Sequence, residues 1–302
     1  MKLSNLLLLC GQVSFLVLCA PLVSGFIRKI KNNLRMRNGP SVFQPYYNLI
    51  KLLSKGQIVS KHASWVFTVT PIIVLASSLC VCFLLPIFQP EFSLNNAGDL
   101  LAVFFILALG RFFLALAGLD AGSSFGGMGS SREMFISSIA EPAAFISLFV
   151  IGMNSGSTSV VAVAGAHLFR VSTLLAGVAF FMVTVAETSR IPVDNQETHL
   201  ELTMVHEAMV LEYSGRSLAA IELASHIRQI IFFTIVSWFL FPFLNDAQWQ
   251  WFQFPLKLLI ISTVVAVLEI SVAKMRLFRV ADYLGFAFFI ALLAAVVACM
   301  GM

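Results

Sequence analysis

Six carboxylates and two imidazoles crowd into thirty residues of this chain, AETSRIPVDNQETHLELTMVHEAMVLEYSG at 186–215. Glu187, Asp194, Glu197, Glu201, Glu207 and Glu212 are six of its 15 acidic residues, and His199 and His206 are two of its five histidines. Long apolar runs flank the stretch on both sides. Ionisable groups near lipid must be paired, hydrated or neutralised, so such a segment is read first as a functional site. The plainer alternative is a solvated acidic loop. Pro192 stops any helix running in from the preceding apolar run. Beyond it, Asp194, Glu197 and Glu201 stand at i, i+3 and i+7, which is one face if the segment is helical. Crowded carboxylates share protons instead of all ionising, and that is the chemistry of a relay. His206-Glu207 is followed by Val210, so the HExxH zinc pattern fails. No GxSxG elbow supports a serine nucleophile.

Two further acids lie inside apolar runs. Glu141, in a Glu-Pro pair, must find a partner or take up a proton, and intramembrane acids more often mark a pathway than a purely structural bond. Glu269 is followed closely by Lys274 and Arg276, so ion pairing within its own segment is the competing reading there. Arg111 and Arg170 are cations that could partner these acids. Residues 118–131, GLDAGSSFGGMGSS, carry five glycines. They lack the Gly-Lys-Ser/Thr of a phosphate loop and the flanking strand of a dinucleotide fingerprint. The stretch reads as a tight loop packed against something else. Cys10, Cys19, Cys80, Cys82 and Cys299 all sit in apolar runs, as buried small hydrophobes do, and form no metal or disulfide framework.

The elements that must hold these residues are membrane spans. The 302 residues are 59% hydrophobic and 11% charged, against roughly 25% charged for a soluble domain. No polar segment is long enough for a soluble domain, so the chain reads as one membrane domain, 1–302. Apolar runs of spanning length, ~20 residues, lie at about 3–26, 64–88, 99–119, 132–153, 167–186, 228–244, 254–274 and 283–302. The intervening segments 28–62, 119–133, 187–228 and 274–282 hold 15 of the 19 Lys and Arg residues. The segments on the other side hold only Lys2. By the positive-inside rule these four loops face inward and both termini lie outside. After the Gly39-Pro40 turn, Val42, Phe43, Tyr46, Tyr47, Ile50 and Leu53 recur at helical spacing, which predicts an amphipathic helix at the interface. The fold class is therefore all-α: a polytopic membrane protein of about eight transmembrane helices, an interfacial helix and a helical acidic cytoplasmic loop. No basic run with interleaved aromatics suggests nucleic acid.

In this order, several segments together resemble the eight-span subunit shared by respiratory complex I, where it is subunit 1, and the group 4 membrane-bound hydrogenases. They are Arg35-Met-Arg-Asn-Gly-Pro40 with Gln44 and Ile50-Lys-Leu-Leu53; Gly118-Leu-Asp-Ala-Gly-Ser123 with Gly129 and Ser131-Arg-Glu133; Glu141-Pro142; Ala186-Glu187 with Arg190, Pro192, Asp194, Glu197 and Glu201; and Glu212-Tyr-Ser-Gly215. The resemblance covers nearly the whole chain. The short spacing after Gly39-Pro40, the GLDAGS loop and Glu141-Pro142 look like the formate hydrogenlyase and hydrogenase-4 side of that family. His199 departs from it, standing where both branches commonly carry Glu.

The resemblance implies a non-catalytic, membrane-anchoring subunit of an energy-converting oxidoreductase complex in the cell inner membrane. Glu141, Glu187, Asp194, Glu197, His199, Glu201, Glu207 and Glu212 would form its proton path. Arg35, Arg37, Asp120, Arg132, Glu133, Arg190, Met209 and Leu211 would meet the peripheral arm. The implied partners are hydrogenase-like large and small subunits, an iron–sulfur subunit and antiporter-like membrane subunits. The iron–sulfur clusters and the nickel–iron centre would sit in those partners, with no cofactor in this chain. Met204, Val205, Met209, Val210 and Leu211 lie among the charges of the acidic loop and call for an apolar partner, which the docked arm would supply. The rivals are the NADH-quinone oxidoreductase (complex I) subunit proper and a stand-alone proton-coupled transporter.

Overall fold

The computed structural model describes residues 3–60, 63–86, 98–165, 170–194, 204–241 and 250–301. Eleven helices follow in order: α1 (Leu3–Leu34), α2 (Gln44–Ser54), α3 (Trp65–Leu84), α4 (Leu100–Asp120), α5 (Ser124–Ser155), α6 (Val160–Gly165), α7 (Val171–Glu187), α8 (His206–Val210), α9 (Gly215–Leu240), α10 (Gln250–Ser271) and α11 (Leu277–Cys299). No strand occurs among the described residues, where Asp99 and Ser159 form one isolated bridge. Among the described residues seven helices are long and apolar enough to cross a membrane, and α7 is a shorter apolar helix of 17 residues. Seventeen residues is the lower end of what spans a bilayer.

Helix α9 is central and helices such as α11 are peripheral. The apolar window of α9 is 78% buried, that of α11 only 28%. Ile227, Ile230, Ile231, Phe232, Phe233, Val236 and Phe239 of α9 are fully enclosed. They pack in one continuous core with Leu16 and Ile27 of α1, Phe104 of α4, Ala140 and Leu148 of α5, and Phe180 of α7.

Several element boundaries differ from the expected ones. The stretch 215–227, assigned to the acidic inner loop, is the first half of α9. Its polar residues Glu222, Ser225 and His226 broke the apolar run in the sequence, yet they face a cavity in the interior. The glycine-rich stretch is not mainly a loop. Helix α4 runs to Asp120, and Ser123 accepts a hydrogen bond from the Gly126 backbone N–H at 3.1 Å, capping α5 from Ser124 onward. Glycine serves a close crossing here: a Cβ on Gly129 would stand 2.9 Å from the Ala208 Cβ and 3.0 Å from the Val205 carbonyl oxygen. The packing partner sought for this stretch is thus α8 of the same chain.

Helix α2 forms as expected after Pro40, with Pro45 in its first turn. It rests on α1 and α9 through Pro45 and Leu49, while Phe43, Tyr47, Ile50 and Leu53 stay exposed. The segment after α8 is fastened to the loop ahead of α3. Ser214 Oγ accepts from the Ile58 N–H at 2.9 Å and donates to the Ile58 carbonyl at 3.1 Å. Tyr213 stacks on Phe67 with ring centroids 4.0 Å apart and donates its hydroxyl to the Phe67 carbonyl at 2.9 Å. Gly215 has φ +54, and a Cβ there would strike the Gly56 carbonyl. The Tyr-Ser-Gly turn of the sequence is a clamp between α8, α9 and the head of α3.

Candidate functional site

The buried charges of the core fall into three groups. In the first, Arg111 of α4 lies between two carboxylates. Its Nη2 meets Glu187 Oε2 of α7 at 2.7 Å, and its Nη1 meets Glu141 Oε1 of α5 at 3.5 Å. Arg111 and Glu187 are enclosed, whereas the Glu141 side chain is 37% exposed on the outer face of α5. Glu133 of α5 and Arg228 of α9 lie in the same electrostatic neighbourhood as Arg111 and Glu187.

The second group centres on Glu269 of α10, which takes Lys31 Nζ of α1 at 3.1 Å and Arg190 Nη1 at 3.0 Å. The sequence suggested Lys274 and Arg276 as its partners. They follow α10, which ends at Ser271, while α1 and the turn after α7 bring Lys31 and Arg190 to it. Arg190 also donates to Gln229 Oε1 at 3.1 Å, which accepts from Ser24 Oγ at 2.7 Å. Ser24 Oγ in turn lies 2.9 Å from His226 Nδ1.

The third group is Asp194. Its Oδ1 takes Lys274 Nζ at 2.8 Å, and its Oδ2 accepts from the backbone N–H groups of Val205 and His206 at 3.2 and 3.3 Å. Asp194 therefore caps the start of α8 and ties it to the segment between α10 and α11. It sits in the turn after α7, not on a helical face. Glu197, His199 and Glu201 lie outside the described residues.

Two small chambers lie beside these groups, the smaller one touching Glu187 of the first and Ser24 and Gln229 of the second. One offers about 90 Å³ to water and is lined by Arg28, Asn48, His206, Glu207, Glu222 and His226 among others. The next offers about 20 Å³ and is lined by Ser24, Glu187, Thr188, His206, His226, Arg228 and Gln229 among others. A water needs roughly 10–15 Å³, so the second holds about one and the first several. His206, Ser225 and His226 belong to both walls. The shared wall sets the two chambers side by side, and Glu187, which pairs with Arg111, lines the smaller one. Burial, with the positive charge of Arg228 adding to it, pushes His206 down to about 4, against a smaller opposing pull from Asp194. His206 is therefore a neutral imidazole at physiological pH, able to accept a proton on one nitrogen and donate from the other.

Of the expected proton-path residues, Glu141 and Glu187 meet at Arg111, and Glu207 lines the larger chamber. Glu212 is exposed at the surface away from both chambers. Of the expected arm contacts, Arg35 and Arg37 are exposed and Leu211 is half-exposed. Met209 is 1% exposed. With Val210 it packs against Leu114, Ala117 and Ala121 of the α4 end and Ile221 of α9. The apolar partner that Met204, Val205, Met209 and Val210 require is this chain itself. Asp120 accepts from Ser64 N–H and Oγ at 2.8 Å each and from Phe67 N–H at 3.2 Å, so it caps α3. Arg132 donates to the Met204 carbonyl at 3.0 Å, and Arg190 is committed to Glu269 and Gln229. Glu133 is half-buried on α5.

Arg228, His226, Gln229, Glu222, Ser24 and Lys31 were not anticipated. Glu222, Ser225/His226 and Gln229 recur at i, i+3/i+4 and i+7, a polar stripe on an otherwise apolar helix. That stripe is the signal that could have found Glu222, His226 and Gln229. Among the described residues no group of three His, Cys, Asp or Glu side chains could hold a metal ion.

Residues 6–300 match the family described as NADH dehydrogenase. The chain is 30% identical to formate hydrogenlyase subunit 4 of Escherichia coli (strain K12), covering 94% of this chain and 97% of that one. It is also 30% identical to hydrogenase-4 component C of the same strain, over 86% and 81% of the two chains. The matching subunit of NADH-quinone oxidoreductase from Cupriavidus pinatubonensis (strain JMP 134 / LMG 1197) is 29% identical, over 74% and 68%. In fold, the chain matches one from the membrane-bound sulfane sulfur reductase, an archaeal respiratory membrane complex, with a TM-score of 0.85 at 18% identity and 98% coverage.

Proposed function

The chain belongs to the NADH dehydrogenase family of membrane subunits, and on that basis we propose that it anchors and couples an energy-converting redox complex of the group 4 hydrogenase or formate hydrogenlyase type. It spans the inner membrane, with the α2–α8 pole inside and both termini outside. That pole receives a soluble arm of hydrogenase-like large and small subunits and an iron–sulfur subunit, which carry the clusters and the nickel–iron centre. Antiporter-like membrane subunits lie beside it in the bilayer. Protons enter through the larger chamber, pass His206 and His226, and reach Glu187, Arg111 and Glu141.

One observation carries this reading: Glu141 is half-open on the outer face of a spanning helix, yet joined through Arg111 to a buried carboxylate. A carboxylate facing lipid is costly. A neighbouring membrane subunit that covers Glu141 removes that cost and receives the proton. Isolating the complex through a tag on this chain tests the reading. The expected result is co-isolation of a soluble redox arm and a second polytopic subunit, and no ion flux when the chain is reconstituted alone. A chain that isolates alone and moves ions by itself in liposomes is a stand-alone transporter, and the proposal fails.

A further inference from the structure

Residues 28–62 hold eight of the chain's 19 Lys and Arg residues and no acid, and the first carboxylate side chain in the sequence is Glu91. Lys31 is held by Glu269, and Arg28 lines the larger chamber. Among the described residues no ion pair and no hydrogen bond engages the side chain of Lys29, Lys51 or Lys55. Lys51 is in the last turn of α2 and Lys55 is its cap. They stand at i and i+4, where like charges on a helix repel. An anion between them removes that repulsion.

The same helix turns an apolar arc away from the protein. Pro45 and Leu49 are buried, while Phe43, Tyr47, Ile50 and Leu53 are each more than half exposed. At 3.6 residues per turn, Lys51 stands about 40° beyond Tyr47, on the edge of the arc away from Leu49. The arc sits deep against α1. A Cβ on Gly25 would strike the Val42 carbonyl, and Tyr46 donates its hydroxyl to the Leu18 carbonyl. Lys29 is one turn beyond Gly25 on the same face of α1. Leu18 lies roughly 16 Å further into the span than Lys29, at helical rise. The first half of α2 is thus set below the level of Lys29, against the part of α1 that is apolar enough to cross a membrane. Leu18, 64% exposed, continues the apolar surface onto that span.

We propose that the outer face of α2 is a binding site for an anionic phospholipid: Lys51 and Lys55 hold its phosphate, and Phe43, Tyr47, Ile50 and Leu53 lie among its acyl chains. Both halves of the ligand are needed. A free phosphate leaves the apolar arc uncovered. A zwitterionic headgroup brings a cation of its own to the lysines. A soluble acidic partner does not reach an arc set below the level of Lys29. Basic clusters on an amphipathic helix beside a span are what anionic headgroups bind. Lysine suits the edge of such an arc, because its stem lies along apolar surface while the ammonium reaches the headgroup. Pro45 and Asn48 of α2 also wall the larger chamber, so a lipid held on the outer face of α2 braces that wall from outside. The site stands whether or not protons pass His206.

Quenching by brominated lipids tests this in the assembled complex. A fluorescent amino acid is introduced at position 50, and the complex is placed in vesicles of equal parts phosphatidylglycerol and phosphatidylcholine, with one or the other brominated. Brominated phosphatidylglycerol should quench more strongly than brominated phosphatidylcholine at the same bulk composition. In Lys51→Gln and in Lys51→Gln/Lys55→Gln the relative affinity for the anionic lipid should fall by about fivefold for each lysine removed. Lys51→Arg/Lys55→Arg should keep the preference. A fluorophore at position 53 keeps the test open if one at position 50 disturbs α2. Equal quenching by the two lipids overturns the proposal. Quenching by neither shows that another protein covers α2, and overturns it as well. A preference abolished by inorganic phosphate at constant ionic strength marks a site for the free anion, and the lipid assignment fails.

Discussion

At the scale of single residues, the same charged side-chain types do two different jobs, and position in the fold separates them. Asp120 and Asp194 are caps, fixed by backbone N–H groups. Asp120→Ala should lower the thermal stability of the purified chain by about 1 kcal/mol, the usual cost of a lost helix cap. A melting midpoint equal to wild type would show that Ser64 caps α3 unaided. Glu187 and Glu141 instead share one guanidinium, and in the proposed relay they are the residues that carry the proton. His206 should titrate near pH 4, far below the 6.5 of a free histidine. Between those values an unfolded chain binds a proton that folded His206 refuses. Stability around α8 should therefore fall as pH drops from 6.5 toward 4 and be indifferent to His206 above 6.5. A ¹⁵N-histidine titration with a midpoint near 6.5 would show the ring to be solvated.

At the scale of elements, the surprise is α8. Its apolar residues read in the sequence as a surface awaiting a partner, because one-dimensional pattern cannot say which neighbour covers a face. The structure covers them with the α4 end, α9 and, at Gly129, α5. Met209→Asp should then lower the amount of folded chain in the membrane even without any partner, since it buries an unpaired charge. Normal levels of folded Met209→Asp with loss of the soluble arm alone would return Met209 to the docking surface. Gly215→Ala should also lower folded chain, because the positive φ and the Gly56 carbonyl exclude a side chain. The start of α9 was hidden for a related reason. Hydropathy detects lipid-facing helices well, but the first half of α9 is polar toward an internal chamber, so its apolar run began thirteen residues after the helix does. Helix α2 was legible from Pro40 and its period, since an interfacial helix keeps a clean amphipathic pattern.

At the scale of the whole molecule, composition and the order of spans were enough for the all-α membrane class, because lipid permits few alternatives. The pairing of charges was not legible, because each pair joins distant segments: Lys31 with Glu269, Arg111 with Glu187, Asp194 with Lys274. The proposed orientation rests on the clustering of basic residues at the α2–α8 pole. In a background without the native cysteines, Met36→Cys, at a position 95% exposed, should react with an impermeant thiol reagent only from the cytoplasmic side. A cysteine at the exposed position 157 should react only from the other side. The central claim, that a proton crosses this chain by way of Glu141, is tested most directly by Glu141→Gln in the assembled complex. The variant keeps the shape and removes the titrating group. In sealed inverted vesicles, ions moved per electron transferred should fall by about 10²-fold, the lower range of what a positioned proton-transfer group contributes, while assembly and electron transfer continue. An unchanged ratio of ions to electrons would contradict the account.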